Sequence, residues 1–107
     1  MNLEHNEVLK ALNTLADDVY QTAVDKGWHE NTVPFPAQIA LIHSELSEAL
    51  QADRKGEGSA AVAEELADVI IRVLDTARWL ELDIAKAIVE KTEANKARPY
   101  RHGGRKY

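Results

Sequence analysis

Hydrophobic residues recur every three or four positions in four separate stretches of this chain, which is the spacing of amphipathic helices. Glycine and proline lie between the stretches, where helices end. The pattern predicts helices over residues 3–25 and 36–54, a third from an N-cap at Ser59 to residue 80, and a fourth over 84–97 with Asp83 as its N-cap. We therefore expect an all-α fold, a four-helix bundle forming one domain over residues 1–107, in which residues 98–107 are a basic tail.

Two acidic signatures lie on either side of the glycine-bearing stretch 55–58, Glu45 with Glu48 and Glu65 with Asp68. At about 100° of rotation per residue, the second acid of each pair lies about 300° from the first and borders the apolar stripe of its helix. A short link favours antiparallel neighbours, so the two helices are expected to form an antiparallel central pair. Glu48 is then level with Glu65, and Glu45 is level with Asp68, so the four carboxylates converge beside the core.

This convergence predicts a metal site. Several carboxylates in one low-dielectric site do not all stay ionised without compensating positive charge. Oxygen ligands suit a hard cation, so Mg²⁺ is expected, with Mn²⁺ as the alternative. A solvated acidic face explains one such pair equally well, but two pairs with matching phase favour the metal. His43 lies about 200° round the helix from Glu45 and is assigned a structural or surface role.

Three segments together carry a resemblance to a known family. They are LIHSELSEAL at residues 41–50, EELADVIIR at 64–72, and Lys91-x-x-x-Asn95-x-x-Arg98-Pro99-Tyr100. In order and spacing they resemble the MazG-like, all-α nucleoside triphosphate pyrophosphohydrolases, a superfamily that includes dimeric dUTPases and dCTP pyrophosphatases. The resemblance covers most of the chain, from Lys26 to about Gly104.

The resemblance implies an enzyme that hydrolyses a nucleoside or deoxynucleoside triphosphate to the monophosphate and pyrophosphate. It implies that the four acids Glu45, Glu48, Glu65 and Asp68 are catalytic and bind the metal. It further implies that Lys91 and Arg98 bind phosphate, and that Asn95 contacts the sugar or base. The activity would serve house-cleaning of the nucleotide pool or its control.

Other parts of the site have two readings each. Trp28 is expected in a loop, either as a lid over the core or as a ring facing the nucleobase. Arg72 and Asp75 either pair with each other or border the pocket, and Asp75 is a further candidate ligand. The tail is either a solvated end, or it folds over a neighbouring subunit's site and adds Arg101 to the triphosphate contacts.

Composition narrows the expected partners. The chain has 107 residues, 45% of them hydrophobic, a formal net charge of −5 and no cysteine. The negative charge disfavours a nucleic-acid partner, because the phosphate backbone rewards positive charge. No N-terminal signal is present, and no apolar run approaches the roughly 20 residues that span a bilayer. We therefore expect a cytoplasmic protein without a membrane partner.

An oligomer is expected because a chain this short buries a modest core. On the third helix, Ile71, Leu74 and Trp79 lie off the inner stripe, at about 240°, 180° and 320° from Glu65. Exposed apolar residues that recur on one helix usually mark an interface. The sequence therefore predicts a homodimer or homotetramer joined through these three residues.

Two rival functions were weighed against the hydrolase. A di-iron carboxylate oxidase is also built in a helical bundle, but its Glu-x-x-His motifs have no counterpart in the two acidic pairs. A non-catalytic helical interaction module that retains the scaffold is the remaining alternative, and the four intact acids argue against it.

Overall fold

The computed structural model of the protein describes residues 4–100, which form four α-helices and no strand. These are α1 (His5–Asp25), α2 (Phe35–Arg54), α3 (Ser59–Trp79) and α4 (Ile84–Lys96). The predicted all-α fold with four helices is confirmed. Every helix boundary lies within two residues of its predicted position. Arg101 and the rest of the basic tail lie outside the described residues.

Glycines end the first two helices in the same way. Gly27 and Gly56 adopt φ angles of 76° and 67°, in the left-handed region that glycine tolerates best. At the end of α1 the Gly27 N–H donates to the Val24 carbonyl at 3.0 Å, and the Trp28 N–H donates to the Ala23 carbonyl at 2.9 Å. This pairing is a Schellman motif, which satisfies two terminal carbonyls and turns the chain into the connection that carries Trp28.

Of the two predicted N-caps, one is confirmed and one is wrong. The Asp83 carboxylate accepts a hydrogen bond from the Lys86 backbone N–H at 3.1 Å at the start of α4. Ser59, in contrast, is the first residue of α3, and Gly58 is the cap with a φ of 99° and no side-chain bond. The glycine conformation places the start of the helix one residue earlier than the serine pattern predicts.

The central element of the fold is α3, which contacts each of the other three helices. Its most extensive contact is with α2, and α1 packs against α3 and α4, whereas α2 and α4 do not touch. The buried residues are mostly small, which lets the helices approach closely. They are Ala16, Ala23, Gln38, Ala49, Ala52, Leu74, Ala77 and Ala85. No helix within residues 4–100 combines the length and apolar character that a membrane crossing requires.

The three residues predicted to form a subunit interface do not form one exposed patch. Leu74 is only 3% exposed, and Trp79 is half-buried against His29. Ile71 is exposed, but it lines a pocket. The prediction of this patch is wrong because α3 packs on more than one side, so residues off its first apolar stripe are covered by other helices.

The exposed apolar residues lie instead on the stripes that the sequence assigned to the core. Leu46 and Leu50 of α2 and Leu66 and Ile70 of α3 are 43–57% exposed. The two leucines of α2 and the two residues of α3 occupy equivalent angular positions on their helices. We call these four residues the α2–α3 apolar face.

Candidate functional site

Three of the predicted metal ligands meet between α2 and α3. Glu45 from α2 and Glu65 and Asp68 from α3 each present a carboxylate oxygen, and these oxygens all lie within 4.8 Å of one another. Glu45 and Glu65 are half-buried and Asp68 is exposed. This register between the helices is the one that the sequence predicts for an antiparallel pair.

The fourth predicted ligand, Glu48, is exposed beside the same cluster. Repulsion from the Glu45 carboxylate, together with a hydrogen bond to it, raises the pKa of Glu48 above its ordinary value of 4.5. Desolvation and the neighbouring Glu65 raise this pKa further. The structure therefore brings all four predicted carboxylates together, with Glu48 at the solvent side.

Positive charge at the cluster comes from one side chain. Arg72 of α3 donates from Nε to Glu45 Oε1 at 2.9 Å, and no other ion pair within residues 4–100 reaches the four acids. Glu65 Oε2 is buried and has no hydrogen-bond partner. A buried acceptor without a partner costs about 1–3 kcal/mol. The cluster therefore has an excess of negative charge and an oxygen that a cation would satisfy.

The raised pKa of Glu48 predicts a pH-dependent gain of stability when its charge is removed. An acid with a higher pKa in the folded state destabilises the fold once it ionises, so the penalty is absent below pH 4.5 and complete above the folded pKa. In chelator, Glu48→Gln should raise the melting temperature at pH 7 to 8, and the gain should disappear toward pH 4. Thermal melts across this range measure it.

The matched control for this prediction is Glu64→Gln. Glu64 is exposed on α3 next to Glu65 and forms no ion pair within the described residues, so its substitution removes the same charge outside the cluster. A gain of equal size for both variants, or a gain for Glu48→Gln that does not change with pH, would contradict the carboxylate cluster as its cause.

A pocket of about 480 Å³ extends from the carboxylates toward the connection between α1 and α2. Glu45, Asp68 and Arg72 form its acidic end. The remaining lining residues are mainly aromatic, apolar or amide side chains: Val19, Ala23, Trp28, His29, Asn31, Val33, Gln38, Leu41, Ile71, Asp75, Thr76 and Trp79. One end can hold a cation and phosphate groups, and the other end can hold a flat apolar ring.

The aromatic end is organised around His29. Its Nε2 lies 2.7 Å from Asp75 Oδ1, and both side chains are about four-fifths buried. The imidazole stacks on Trp79, with 5.7 Å between ring centroids, and contacts Tyr20 at 5.3 Å. Asp75 therefore pairs with His29 and not with Arg72, so the predicted pairing is wrong. The expectation that Arg72 and Asp75 border the pocket is confirmed.

Trp28 lies in the connection after α1 and is 61% exposed at the pocket. A ring with this exposure is not a lid packed over the core, so of the two readings the structure favours a ring that faces a ligand. His43 is exposed on α2, which agrees with its predicted surface role.

The predicted phosphate and sugar contacts lie elsewhere in the chain. Lys91 and Asn95 are exposed on α4, and Arg98 is exposed two residues beyond the end of that helix. None of the three lines the pocket, and α4 does not contact α2. The structure of one chain therefore does not bring them to the carboxylates.

Two pocket residues, His29 and Asn31, were not predicted from the sequence as site residues. Both lie in a connection, where no hydrophobic period gives a side chain a direction. The contact between His29 and Asp75 joins residues 46 positions apart, which local sequence patterns do not report.

Comparison of the chain with protein-family models, with curated proteins and with solved structures found no match. The resemblance to the MazG-like hydrolases therefore depends on the three sequence segments alone.

Proposed function

We propose that this protein is a magnesium-dependent pyrophosphohydrolase that converts a nucleoside or deoxynucleoside triphosphate to the monophosphate and pyrophosphate. One observation carries the proposal above the others. The oxygens of Glu45, Glu65 and Asp68 lie within 4.8 Å of one another, at one end of a pocket whose other end is aromatic. A nucleotide has the same two parts, a charged phosphate chain and a flat base.

The donor set fits a hard divalent cation. Glu45, Glu48, Glu65 and Asp68 would hold it, because all four offer carboxylate oxygens and the buried Glu65 Oε2 has no other partner. When bound, Mg²⁺, or Mn²⁺ in its place, would neutralise phosphate oxygens and make a water molecule more acidic.

The remaining chemistry belongs to side chains of the protein. Glu48 is exposed and has a raised pKa, so its carboxylate is the better base of the four for taking a proton from the attacking water. Arg72 lies next to Glu45 and supplies fixed positive charge at the phosphate end of the pocket. Trp28 and Trp79 offer ring faces for the base at the other end.

We also propose that the protein acts as a homo-oligomer, a dimer or a dimer of dimers. The exposed α2–α3 apolar face is the surface that a second copy would cover. Lys91, Asn95 and Arg98 stay in the proposal as substrate contacts that the second copy supplies, because they lie away from the site of their own chain.

The oligomer proposal predicts that one charge on the α2–α3 apolar face dissociates the protein. Ile70 is 57% exposed, so Ile70→Lys should leave the helices folded but place a charge in the buried centre of the interface. Sedimentation should show a dimer or tetramer for the parent at micromolar concentration and a monomer for the variant.

The control for the oligomer prediction is Leu82→Lys, which changes a residue of similar exposure, 53%, in the turn before α4. It should sediment as the parent does. A parent that is a fully active monomer would remove the oligomer from the proposal.

The test of the activity is which bond breaks. Water attack at the α-phosphorus forms its bond there and expels the β- and γ-phosphates together as pyrophosphate. A panel of triphosphates in H₂¹⁸O with Mg²⁺ should therefore yield labelled monophosphate and unlabelled pyrophosphate. A diphosphate and orthophosphate as first products would overturn the assignment. A melting temperature that Mg²⁺ raises, without turnover of any triphosphate, would instead favour the non-catalytic interaction module.

A further inference from the structure

The connection between α1 and α2, residues 26–34, forms one wall of the pocket and is fixed to the helices at several points. Its first turn is closed by the Schellman motif at Gly27. At its far end the buried Gln38 side chain of α2 donates from Nε2 to the Val33 carbonyl at 2.9 Å. Trp28 and Asn31 lie between these points and line the pocket.

The attachment in the middle is the His29–Asp75 pair, which joins the connection to α3. Its 2.7 Å distance and the burial of both side chains distinguish it from the exposed ion pairs of the protein. An ion pair on the surface contributes little because water and salt screen it, but a buried hydrogen-bonded pair fixes its geometry more strongly. The contacts of His29 with Tyr20 of α1 and Trp79 of α3 hold the imidazole ring on two further elements.

Trp28 depends on this attachment more than on contacts of its own. Its backbone N–H is fixed by the Schellman motif, but its side chain is 61% exposed. The next residue in the chain is His29, so the direction of the connection beyond Trp28 is set where the imidazole meets Asp75. Without that contact, the segment from Trp28 to Asn31 has no fixed point until Val33.

We propose that the His29–Asp75 pair is a positioning device that holds Trp28 and Asn31 against the pocket, where they contact the heteroaromatic base of the ligand. This inference rests on the proposed function, since it assigns the aromatic end of the same pocket to the base. It gives Asp75 a role in base recognition and not in metal binding. His29 and Asp75 are positioning residues, and Trp28 and Asn31 are the contacts.

Kinetics separate positioning from catalysis. Asp75→Ala and His29→Ala should each raise KM for the preferred triphosphate about tenfold or more and change kcat less than about threefold, because they impair base binding and not the reacting phosphate. Asp75→Asn should restore a KM close to that of the parent, since its amide oxygen still accepts the Nε2–H of His29. Asp17→Ala is the matched control, because it breaks an exposed ion pair with Arg78 that also reaches α3 but lies outside this pocket.

Two binding measurements need no turnover. Calorimetry with the four common deoxynucleoside monophosphates, each tested singly, should show about tenfold weaker binding for Asp75→Ala than for the parent. The midpoint of the Mg²⁺ titration, followed by melting temperature, should not change. Circular dichroism confirms that each variant is folded, and the more conservative Asp75→Asn serves if Asp75→Ala is not.

The outcomes separate this inference from the proposed function. Latch-dependent binding of a monophosphate by a parent that turns over no triphosphate would support the inference and overturn the proposed function. Turnover by the parent, with unchanged KM and monophosphate binding in Asp75→Ala, would overturn the inference and leave the function. Weaker Mg²⁺ binding in Asp75→Ala, failure of Asp75→Asn to restore KM, or a parent that binds none of the monophosphates would also overturn it.

Discussion

Asp68→Asn is expected to lower pyrophosphate release at least about a thousandfold while leaving the helical fold intact. Asp68 presents its ligand oxygen within 4.8 Å of those of Glu45 and Glu65, yet it is exposed. The amide has the shape of the acid, so the substitution creates no cavity and removes only the charge that a divalent cation needs. Steady-state assays at limiting Mg²⁺, with circular dichroism of both proteins, measure the effect. Glu48→Ala should cause a comparable loss.

The control for this prediction is Asp53→Asn, which makes the same chemical change at an exposed position in the last turn of α2, outside the cluster. Its turnover should match that of the parent. If Asp68→Asn or Glu48→Ala kept near-normal turnover at limiting Mg²⁺, the four-carboxylate site would be wrong. In chelator, both site variants should melt no lower than the parent, because each relieves repulsion among like charges.

Local structure could be predicted from the sequence because its causes are local. The hydrophobic period located all four helices. Glycine at a left-handed position ended α1, and Asp83 capped α4, each through bonds to residues less than a turn or two away. The convergence of the four acids also followed from the sequence. A short link and a constant rise per residue are enough to bring Glu45 level with Asp68.

Contacts between distant elements could not be predicted in this way. The angular position of Leu74 describes its direction from the axis of α3, but not which helix lies there. The sequence placed Leu74 outside, whereas the structure buries it at 3% exposure. The His29–Asp75 pair likewise requires a loop to meet a helix across 46 residues. For Lys91, Asn95 and Arg98 only the family resemblance indicated a place in the site, and one chain does not supply the geometry.

The surface of one chain is larger than a compact monomer would have. Its accessible area is 8403 Å², whereas about 6,000 Å² is expected for the same mass, both for the whole chain. Its radius of gyration is 16.4 Å, compared with about 13 Å for a compact domain of this length. The excess area is larger than the roughly 800 Å² that each partner buries in a standard interface. The α2–α3 apolar face gives this excess a location, and a second copy covering it would also bring a second α4.

Subunit mixing tests whether that second α4 completes the site. Glu48→Ala lacks a carboxylate of the cluster, and the double variant Lys91→Ala/Arg98→Ala lacks the α4 cations, so each homodimer should be nearly inactive at low substrate. If the cations act across the dimer, half of the randomly mixed dimers are mixed and each contains one intact site. Co-refolding equal amounts should then restore about a quarter of the parent's turnover.

The control mixture is Glu48→Ala with Asp68→Asn, assayed under the same conditions. Both changes fall within the cluster of one chain, so every site in a mixed dimer lacks one carboxylate and no activity should return. Recovery in the first mixture alone would assign Lys91 and Arg98 to the partner's site. No recovery in either mixture, with a dimer present, would mean that the cations do not act across the interface. Their distance from the carboxylates in one chain would then exclude them from the site.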